Sequence, residues 1–164
     1  RLVPFPCTLV TFAAWQQGLI VSPGNPHGIR SVEDLARPEI KFINRQSGSG
    51  SRSLLDRLLL RAGVPSTAVT GYSREAGGHL LVASTVASGQ ADAGGAVEAA
   101  ATALGLGFVS LEQERYDLVI PNHFLNHTGV QALLDLLRQP SLRRRVETPG
   151  GYDASSMGLP VSRI

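Results

Sequence analysis

Residues 42–52 of the chain read FINRQSGSGSR, and the prediction of the fold starts from this stretch. An apolar strand pattern over residues 40–44 runs into a loop of serine and glycine, and a helical pattern follows over about 51–62. A strand, a glycine-rich loop and an amphipathic helix in this order are typical of a βα unit in an α/β protein. Such units bind ligands at the carboxyl ends of their strands, beside the helix N-termini.

The loop is rich in hydrogen-bond donors. Gly48 and Gly50 let the backbone fold closely around a ligand. The side-chain donors are the hydroxyls of Ser47, Ser49 and Ser51 and the guanidinium groups of Arg45 and Arg52. A helix N-terminus adds unpaired N–H groups and a partial positive charge. The pattern predicts a site for a small oxyanion, a carboxylate or a phosphate group. The alternative is a flexible loop whose serine caps the helix and whose arginines are solvated.

Enzyme motifs that use a similar loop have a different spacing. A P-loop requires a lysine after its second glycine, and a nucleophile elbow requires glycine where Ser47 stands. The third glycine of a dinucleotide fingerprint is also missing. A hydrolase with Ser49 or Ser51 as nucleophile is a further alternative, but no base and orienting group accompany these serines. We therefore expect no enzymatic activity.

Two other groups are candidates for chemistry. Gly77, Gly78 and His79 open a second helical pattern, so the ring of His79 could donate to the same ligand. The alternative is a partly exposed histidine at a helix start. His123 and His127 have helical metal-ligand spacing, but no third ligand accompanies them, so we expect no metal and no cofactor.

Strand and helix patterns alternate along most of the chain, which predicts a largely parallel sheet. Strands are expected at 8–13, 18–22, 40–44, 68–72, 91–96, 107–111 and 116–120. Helices are expected at 31–36, 51–62, 77–89, 97–105, 128–138 and 140–147, with Ser31 as the cap of the first.

Composition excludes several classes of protein. The chain has 164 residues and a formal net charge of +2, so it has no large basic face for nucleic acid. The basic run Arg143–Arg145 is expected to be a solvated helix face. Cys7 is the single cysteine, which rules out an intrachain disulfide and agrees with a reducing compartment. No apolar run is long enough for a membrane span, and no signal peptide is visible. Because the chain starts with Arg1, we expect a processed protein or a piece of a longer one.

Several segments together resemble the type II periplasmic-binding-protein-like substrate-binding domains. The segments are GLIVSPGNPHGI, FINRQSGSGSRSLLDRLL, GYSREAGGHLLVASTVASGQADAGGAVEAAA, ERYDLVIP and GGYD, which together cover about residues 16–153. They most resemble the subgroup fused to helix-turn-helix regulators or molybdopterin-biosynthesis proteins, which is related to molybdate- and tungstate-binding proteins.

The resemblance implies an α/β fold of two lobes that clamp a ligand in a cleft. Residues 20–113 would form one complete three-layer α/β lobe. Residues 1–19 and 114–164 would form hinge strands and a truncated first lobe with its C-terminal helices. The missing part would lie in a longer chain, or a second copy would compensate for it in a homodimer.

The resemblance also implies a function and a set of binding residues. Direct ligand contacts would come from Arg45, Ser47, Ser49 and Ser51, with Arg52 orienting the loop, the backbone of Gly78 and the ring of His79 contributing from the second helix, and Tyr116 lining the cleft. The ligand would be a small anion such as molybdate or tungstate, bound in a sensor, a transporter or a molybdenum-cofactor protein.

Two points stay open at this stage. The alternative function is an accessory domain of a molybdopterin-biosynthesis protein that recognises a phosphate-bearing pterin. A sensor or biosynthesis protein, fused to a helix-turn-helix or molybdopterin-biosynthesis domain, would be cytoplasmic, whereas a transport receptor would be extracytoplasmic. No direct contact of this domain with nucleic acid is expected in either case.

Overall fold

A computed structural model describes residues 4–161 of the chain. It contains six strands and five α-helices within these residues. The strands are β1 (Cys7–Val21), β2 (Phe42–Arg45), β3 (Glu75–Ala76), β4 (Ala93–Val97), β5 (Gly107–Pro121) and β6 (Tyr152–Asp153). The helices are α1 (Gly50–Arg61), α2 (His79–Ala87), α3 (Glu98–Ala103), α4 (Thr128–Leu137) and α5 (Pro140–Glu147). Among residues 4–161, no helix is long and apolar enough to cross a membrane.

The chain divides into two compact units. The central unit is Gln16–Gln113, and the terminal unit consists of the described residues before position 16 and after position 113. Strands β1 and β5 each run from one unit into the other.

The central unit is built on a mixed sheet with the strand order β3-β2-β4-β1-β5. Strand β2 is parallel to both β3 and β4, whereas β4 is antiparallel to β1. The prediction of a largely parallel sheet is therefore wrong on the β1 side, because β1 enters from the terminal unit and not through a βαβ crossover. Phe42, Leu19 and Ile40 are fully buried in the core. Removal of this apolar surface from water is the main stabilising contribution.

Helix α1 lies where the sequence predicts it. Its residues Leu54, Leu55 and Leu59 are buried, as the helical spacing of the leucines requires. The chain leaves the helix through Gly63, whose φ of 68° is the left-handed conformation that glycine tolerates best. Helices α2, α4 and α5 also lie where they are expected, with α2 shorter than predicted.

Strand β1 is one continuous strand, whereas the sequence predicts two strands at 8–13 and 18–22. The residues of β1 on the two sides of the unit boundary pair with different strands. Ala14 and Trp15 pair with β6, and Gln17–Val21 pair with β4. Because each segment has its own partner strand, the backbone stays extended through the polar Gln16–Gln17 pair.

Strand β5 is also continuous, where two strands at 107–111 and 116–120 are predicted. The polar middle of this strand suggested a break. In the structure its polar side chains have partners in the central unit: Ser110 bonds to Gln16 at 2.8 Å, and Glu112 forms a bidentate pair with Arg57 at 2.9 and 3.1 Å.

Two short predicted elements are corrected. The expected strand at 68–72 is a 3-10 turn, Ser66–Ala68, followed by a loop in which Gly71 has a φ of 93°. The edge strand of the sheet next to β2 is β3 instead. The expected helix at 31–36 is a single 3-10 turn, Glu33–Ala36, and Ser31 does not cap it. Asp34 Oδ2 accepts the backbone N–H of Ser31 at 3.3 Å.

The terminal unit has its own small core. Val10, Ile120, Leu134, Leu137 and Met157 are buried together between the start of β1, the end of β5 and helix α4. Strand β6 pairs antiparallel with β1 in this unit. Helices α4 and α5 are joined at Gln139 and Pro140, a proline that suits the first turn of a helix.

Candidate functional site

The candidate site lies at the carboxyl ends of two neighbouring parallel strands of the central unit. Asn44 and Arg45 of β2 pair with Glu75 and Ala76 of β3. The backbone N–H of Gln46 then donates to the carbonyl of Ala76 at 3.3 Å, which holds the two following loops side by side. One loop leads into α1 at Gly50 and the other into α2 at His79, so two helix N-termini open next to each other.

The first loop is a tight turn. The N–H of Ser49 donates to the carbonyl of Gln46 at 3.2 Å, and Gly48 has a φ of 82°. Ser49 then caps α1, because its Oγ accepts the backbone N–H of Arg52 at 3.3 Å. The N–H groups of Gly50 and Ser51 lie in the first turn, where the helix supplies no acceptor.

Arg45 is a buried cation without an anion. It is 8% exposed. Its Nε donates to Gln46 Oε1 at 3.0 Å, and its Nη1 lies against the ring of His79. Among the described residues, no aspartate or glutamate is within ion-pair distance of it, and burial lowers the pKa of its guanidinium. A buried charge of this kind is costly unless a charge of opposite sign accompanies it.

His79 is the neighbour of this cation. Arg45 Nη1 is 2.7 Å from His79 Nδ1 and 2.9 Å from Nε2, so the edge of the ring with both nitrogens faces the guanidinium. Burial and then the charge of Arg45 lower the pKa of His79 from 6.5 to about 4. The ring is therefore neutral near pH 7, with one nitrogen protonated and one available to accept from Arg45.

Arg52 has a different environment from Arg45. Its guanidinium bonds to Asp56 at 3.1 Å and to Glu75 at 3.3 Å, and it lies 4.1 Å from the ring centroid of Tyr72. The loop has no carboxylate of its own, but α1 and β3 bring two to Arg52. Its Nη1 also reaches the carbonyl of Arg45 at 3.5 Å, a contact suited to holding the loop.

The three serines of the loop also differ in their burial and in their hydrogen-bond partners. Ser51 is buried and its Oγ donates to Gln17 Oε1 at 2.9 Å. Ser49 uses its oxygen for the helix cap, and its hydroxyl hydrogen remains to donate. Ser47 is exposed at the tip of the turn. Sequence patterns alone do not reveal the contact with Gln17, because Gln17 and Ser51 are 34 positions apart.

The glycines of both loops face open space. A Cβ atom placed on Gly48, Gly50, Gly77 or Gly78 would meet no heavy atom within 4 Å. The backbone of the two loops is therefore sterically open at these four positions. Gly78 is extended, with a φ of −167°, and it is the N-cap residue of α2.

The remaining candidates lie in the terminal unit. Tyr116 is 51% exposed and packs on Phe12 and Trp15, with ring centroids 6.1 and 5.7 Å apart. His127 Nδ1 accepts the N–H of Gly129 at 3.2 Å and so caps α4. No cluster of three or more potential metal ligands occurs within residues 4–161.

Two kinds of comparison identify the family. The family model of the PBP superfamily domain matches residues 1–138. The Bacillus subtilis (strain 168) protein YvgK is 35% identical over 153 residues, which are 93% of this chain and 49% of YvgK. A Clostridium pasteurianum protein encoded in the 5′ region of a 2Fe-2S ferredoxin gene is 37% identical over 112 residues, 68% of this chain and 99% of that protein. Both are named as uncharacterized proteins, and this chain spans about half the length of YvgK.

Solved structures show the same fold with different ligands. A Clostridium difficile domain described as the substrate-binding domain of a molybdenum ABC transporter has a TM-score of 0.64 at 15% identity, covering 88% of this chain and 66% of that one. The sulfate-binding protein SubI of Mycobacterium tuberculosis H37Rv has a TM-score of 0.63 at 17% identity, covering 87% and 57%. An ancestral arginine-binding protein bound to glutamine has a TM-score of 0.56 at 24% identity, covering 85% and 61%.

These structures and the family model confirm the predicted α/β fold of the type II periplasmic-binding-protein class. At these identities the structural matches establish the fold and leave the ligand open. The chain belongs to the PBP superfamily.

Proposed function

We propose that the central unit binds a small oxyanion beside Arg45, at the N-termini of α1 and α2, without catalysing a reaction. One observation carries this proposal: Arg45 is 8% exposed, positively charged and not neutralised by any carboxylate of the described residues. An anion in this position would supply the missing charge. The N–H groups of two helix starts and the hydroxyl of Ser49 would add neutral donors.

The neighbouring side chains support an anion over a neutral or cationic ligand. Two acidic residues lie near the loop: Asp56 on α1, and Glu75 on β3 beside β2. Both form ion pairs with Arg52. The two loops offer backbone N–H groups and the hydroxyl of Ser49, the guanidinium of Arg45 is buried at their base, and all of these groups can donate. An acceptor-only ligand such as a tetrahedral oxyanion matches this set.

Molybdate and tungstate are the leading candidates, and a sensor, transport or molybdenum-cofactor context is the proposed setting. The resemblance of the loop and helix segments to the subgroup related to molybdate- and tungstate-binding proteins supports this choice. For the cellular role we propose a cytoplasmic sensor or cofactor-biosynthesis protein. Fractionation of native cells tests this, since recovery outside the cytoplasm would favour a transport receptor.

Calorimetry of the intact native protein tests the binding function. Molybdate, tungstate, sulfate and phosphate are titrated separately at pH 7. We expect saturable heat from at least one of them and a loss of affinity of at least tenfold in Arg45→Gln, because this substitution removes a buried charge that no carboxylate of residues 4–161 neutralises. The matched control is Arg74→Gln, which removes the same charge from an exposed residue of the same unit and should change affinity by less than about twofold.

A second substitution tests the location independently of charge. Gly78→Ala adds one methyl group at an extended residue with no neighbour within 4 Å. We expect the free energy of unfolding to change by less than about 0.5 kcal/mol, while oxyanion affinity falls several-fold because the methyl group occupies ligand space. The absence of heat with all four oxyanions, or unchanged affinity in Arg45→Gln, contradicts the proposed function.

A further inference from the structure

The imidazole of His79 is a second titratable group at the candidate anion site, beside the guanidinium of Arg45. Both ring nitrogens face the guanidinium of Arg45, at 2.7 and 2.9 Å from Nη1. A neutral imidazole accepts through one nitrogen only, so the N–H of the other nitrogen also points toward the arginine. The imidazole N–H and the guanidinium of Arg45 therefore lie close together, and an oxyanion placed beside both groups would accept from both.

We propose that His79 makes this site selective for doubly charged oxyanions, because it takes up one proton from solvent when such an anion binds beside Arg45. The inference rests on the proposed function. In this step a proton from the buffer adds to the neutral imidazole to form an imidazolium, and no bond of the anion is made or broken. Arg45 and the imidazolium then provide two positive charges for the two negative charges of the ligand.

Among the charged groups around His79, Arg45 has the largest effect on its pKa. Helix α2 packs against β2, β3, β4 and α3. Strand β2 contributes Arg45, strand β3 contributes Glu75, which is bonded to Arg52, and α3 contributes Glu98. Strand β4 and the rest of α2 carry no titratable side chain. Of these groups, only Arg45 contacts the ring of His79.

The size of the electrostatic effect is sufficient for proton uptake near neutral pH. Without ligand, burial and the charge of Arg45 hold the pKa of His79 at about 4. One negative charge about 4 Å away raises a pKa by roughly 3 at an effective dielectric constant of about 20. A monoanion would bring His79 to about half protonation at pH 7, and a dianion would protonate it nearly fully.

Tungstate and perrhenate provide a matched pair of probes, because both are tetrahedral oxyanions of similar size and they differ by one unit of charge. Each is titrated into the intact protein at pH 7 in two organic buffers with small and large heats of ionisation. The dependence of the measured heat on buffer gives the number of protons taken up. We expect close to one proton with tungstate, at most about half with perrhenate, and tighter binding of tungstate.

Two variants assign the proton. His79→Gln should still bind tungstate through Arg45, but with proton uptake near zero and with the preference for tungstate over perrhenate reduced at least about fivefold. The control is His27→Gln, which removes a histidine paired with Asp92 at 3.2 Å and should leave proton uptake unchanged. The ¹H–¹⁵N imidazole resonances of the unaltered protein give a readout that needs no variant. His79 should change from the neutral to the imidazolium pattern when tungstate saturates the protein at pH 7.

The outcomes separate the two proposals. Tungstate binding with less than about half a proton taken up, equal uptake with perrhenate, or a neutral His79 in the bound protein overturns this inference and leaves the proposed function standing. Uptake that persists in His79→Gln overturns the assignment to His79. No binding of tungstate, molybdate, sulfate or phosphate overturns both proposals.

Discussion

The hydroxyl of Ser51 donates to the side-chain oxygen of Gln17 at 2.9 Å, and both residues are buried. This bond fixes the first turn of α1 to strand β1 within the central unit. It also commits the hydroxyl hydrogen of Ser51, whereas Ser49, two positions earlier, retains a hydrogen that can be donated to a ligand.

Ser51→Ala is expected to affect stability more than binding. Loss of the buried hydrogen bond to Gln17 should lower the free energy of unfolding by about 1 kcal/mol or somewhat more. Urea denaturation measures this, with Ser53→Ala as the control on an exposed position of the same helix. Oxyanion affinity should fall more in Ser49→Ala than in Ser51→Ala, and the reverse order would assign the ligand contact to Ser51.

Arg52→Gln is expected to destabilise the central unit while leaving part of the binding. The substitution removes the bonds to Asp56 and Glu75 and the stacking on Tyr72, which together should contribute about 1–2 kcal/mol. Arg61→Gln, at the exposed end of α1, should change stability by less than about 0.5 kcal/mol. A loss of affinity in Arg52→Gln as large as in Arg45→Gln would show that Arg52 binds the ligand directly.

The stability of the ligand-free protein should depend on His79 in mildly acidic solution. The folded-state pKa of about 4 lies below the ordinary value of 6.5, so the unfolded chain binds the proton more readily. The stabilising contribution is present above about pH 6.5 and is lost as the pH falls toward 4. We expect a loss on the order of 1–2 kcal/mol, since solvent partly screens the half-buried ring.

Denaturation of the wild type and His79→Gln at several pH values between 7 and 4 isolates this contribution. The carboxylates of Glu33, Glu112 and Asp153, whose pKa values are lowered by hydrogen bonds, respond in more acid solution and are common to both proteins. The difference in stability between the two proteins should therefore change over this interval. Parallel curves for the two proteins would mean that the pKa of His79 is ordinary.

Gly94→Ala should disrupt the packing of α2 on the sheet. A Cβ at this position would overlap Val82 Cγ1 and come within 2.7 Å of Ile43 Cγ2, both on buried residues. We expect a loss of about 2–3 kcal/mol in the free energy of unfolding. Gly95→Ala, on the next residue, meets only Phe42 Cζ at 3.8 Å and should cost much less. Similar losses for the two variants would indicate that α2 does not pack closely over Gly94.

Local sequence patterns predicted the βα unit well. The leucine spacing of α1, the presence of a serine that can cap this helix and the glycines of the loop are properties of neighbouring residues, so they can be recognised without the fold. The same information failed for β1 and β5. Their polar centres appear as breaks in the sequence, and only partners from distant segments, such as Arg57 for Glu112, keep these strands continuous.

The sequence by itself determined that a donor-rich loop precedes a helix start and that the chain has an α/β fold. The tertiary structure decided which donors remain for a ligand. Arg45 and Arg52 carry the same side chain and lie in the same loop segment of the sequence. In the structure, β3 and α1 supply carboxylates to Arg52, whereas Arg45 is buried against a neutral His79. The physical reason is that charge neutralisation depends on distance through space. Contacts between residues 23 or 34 positions apart cannot be deduced from local spacing.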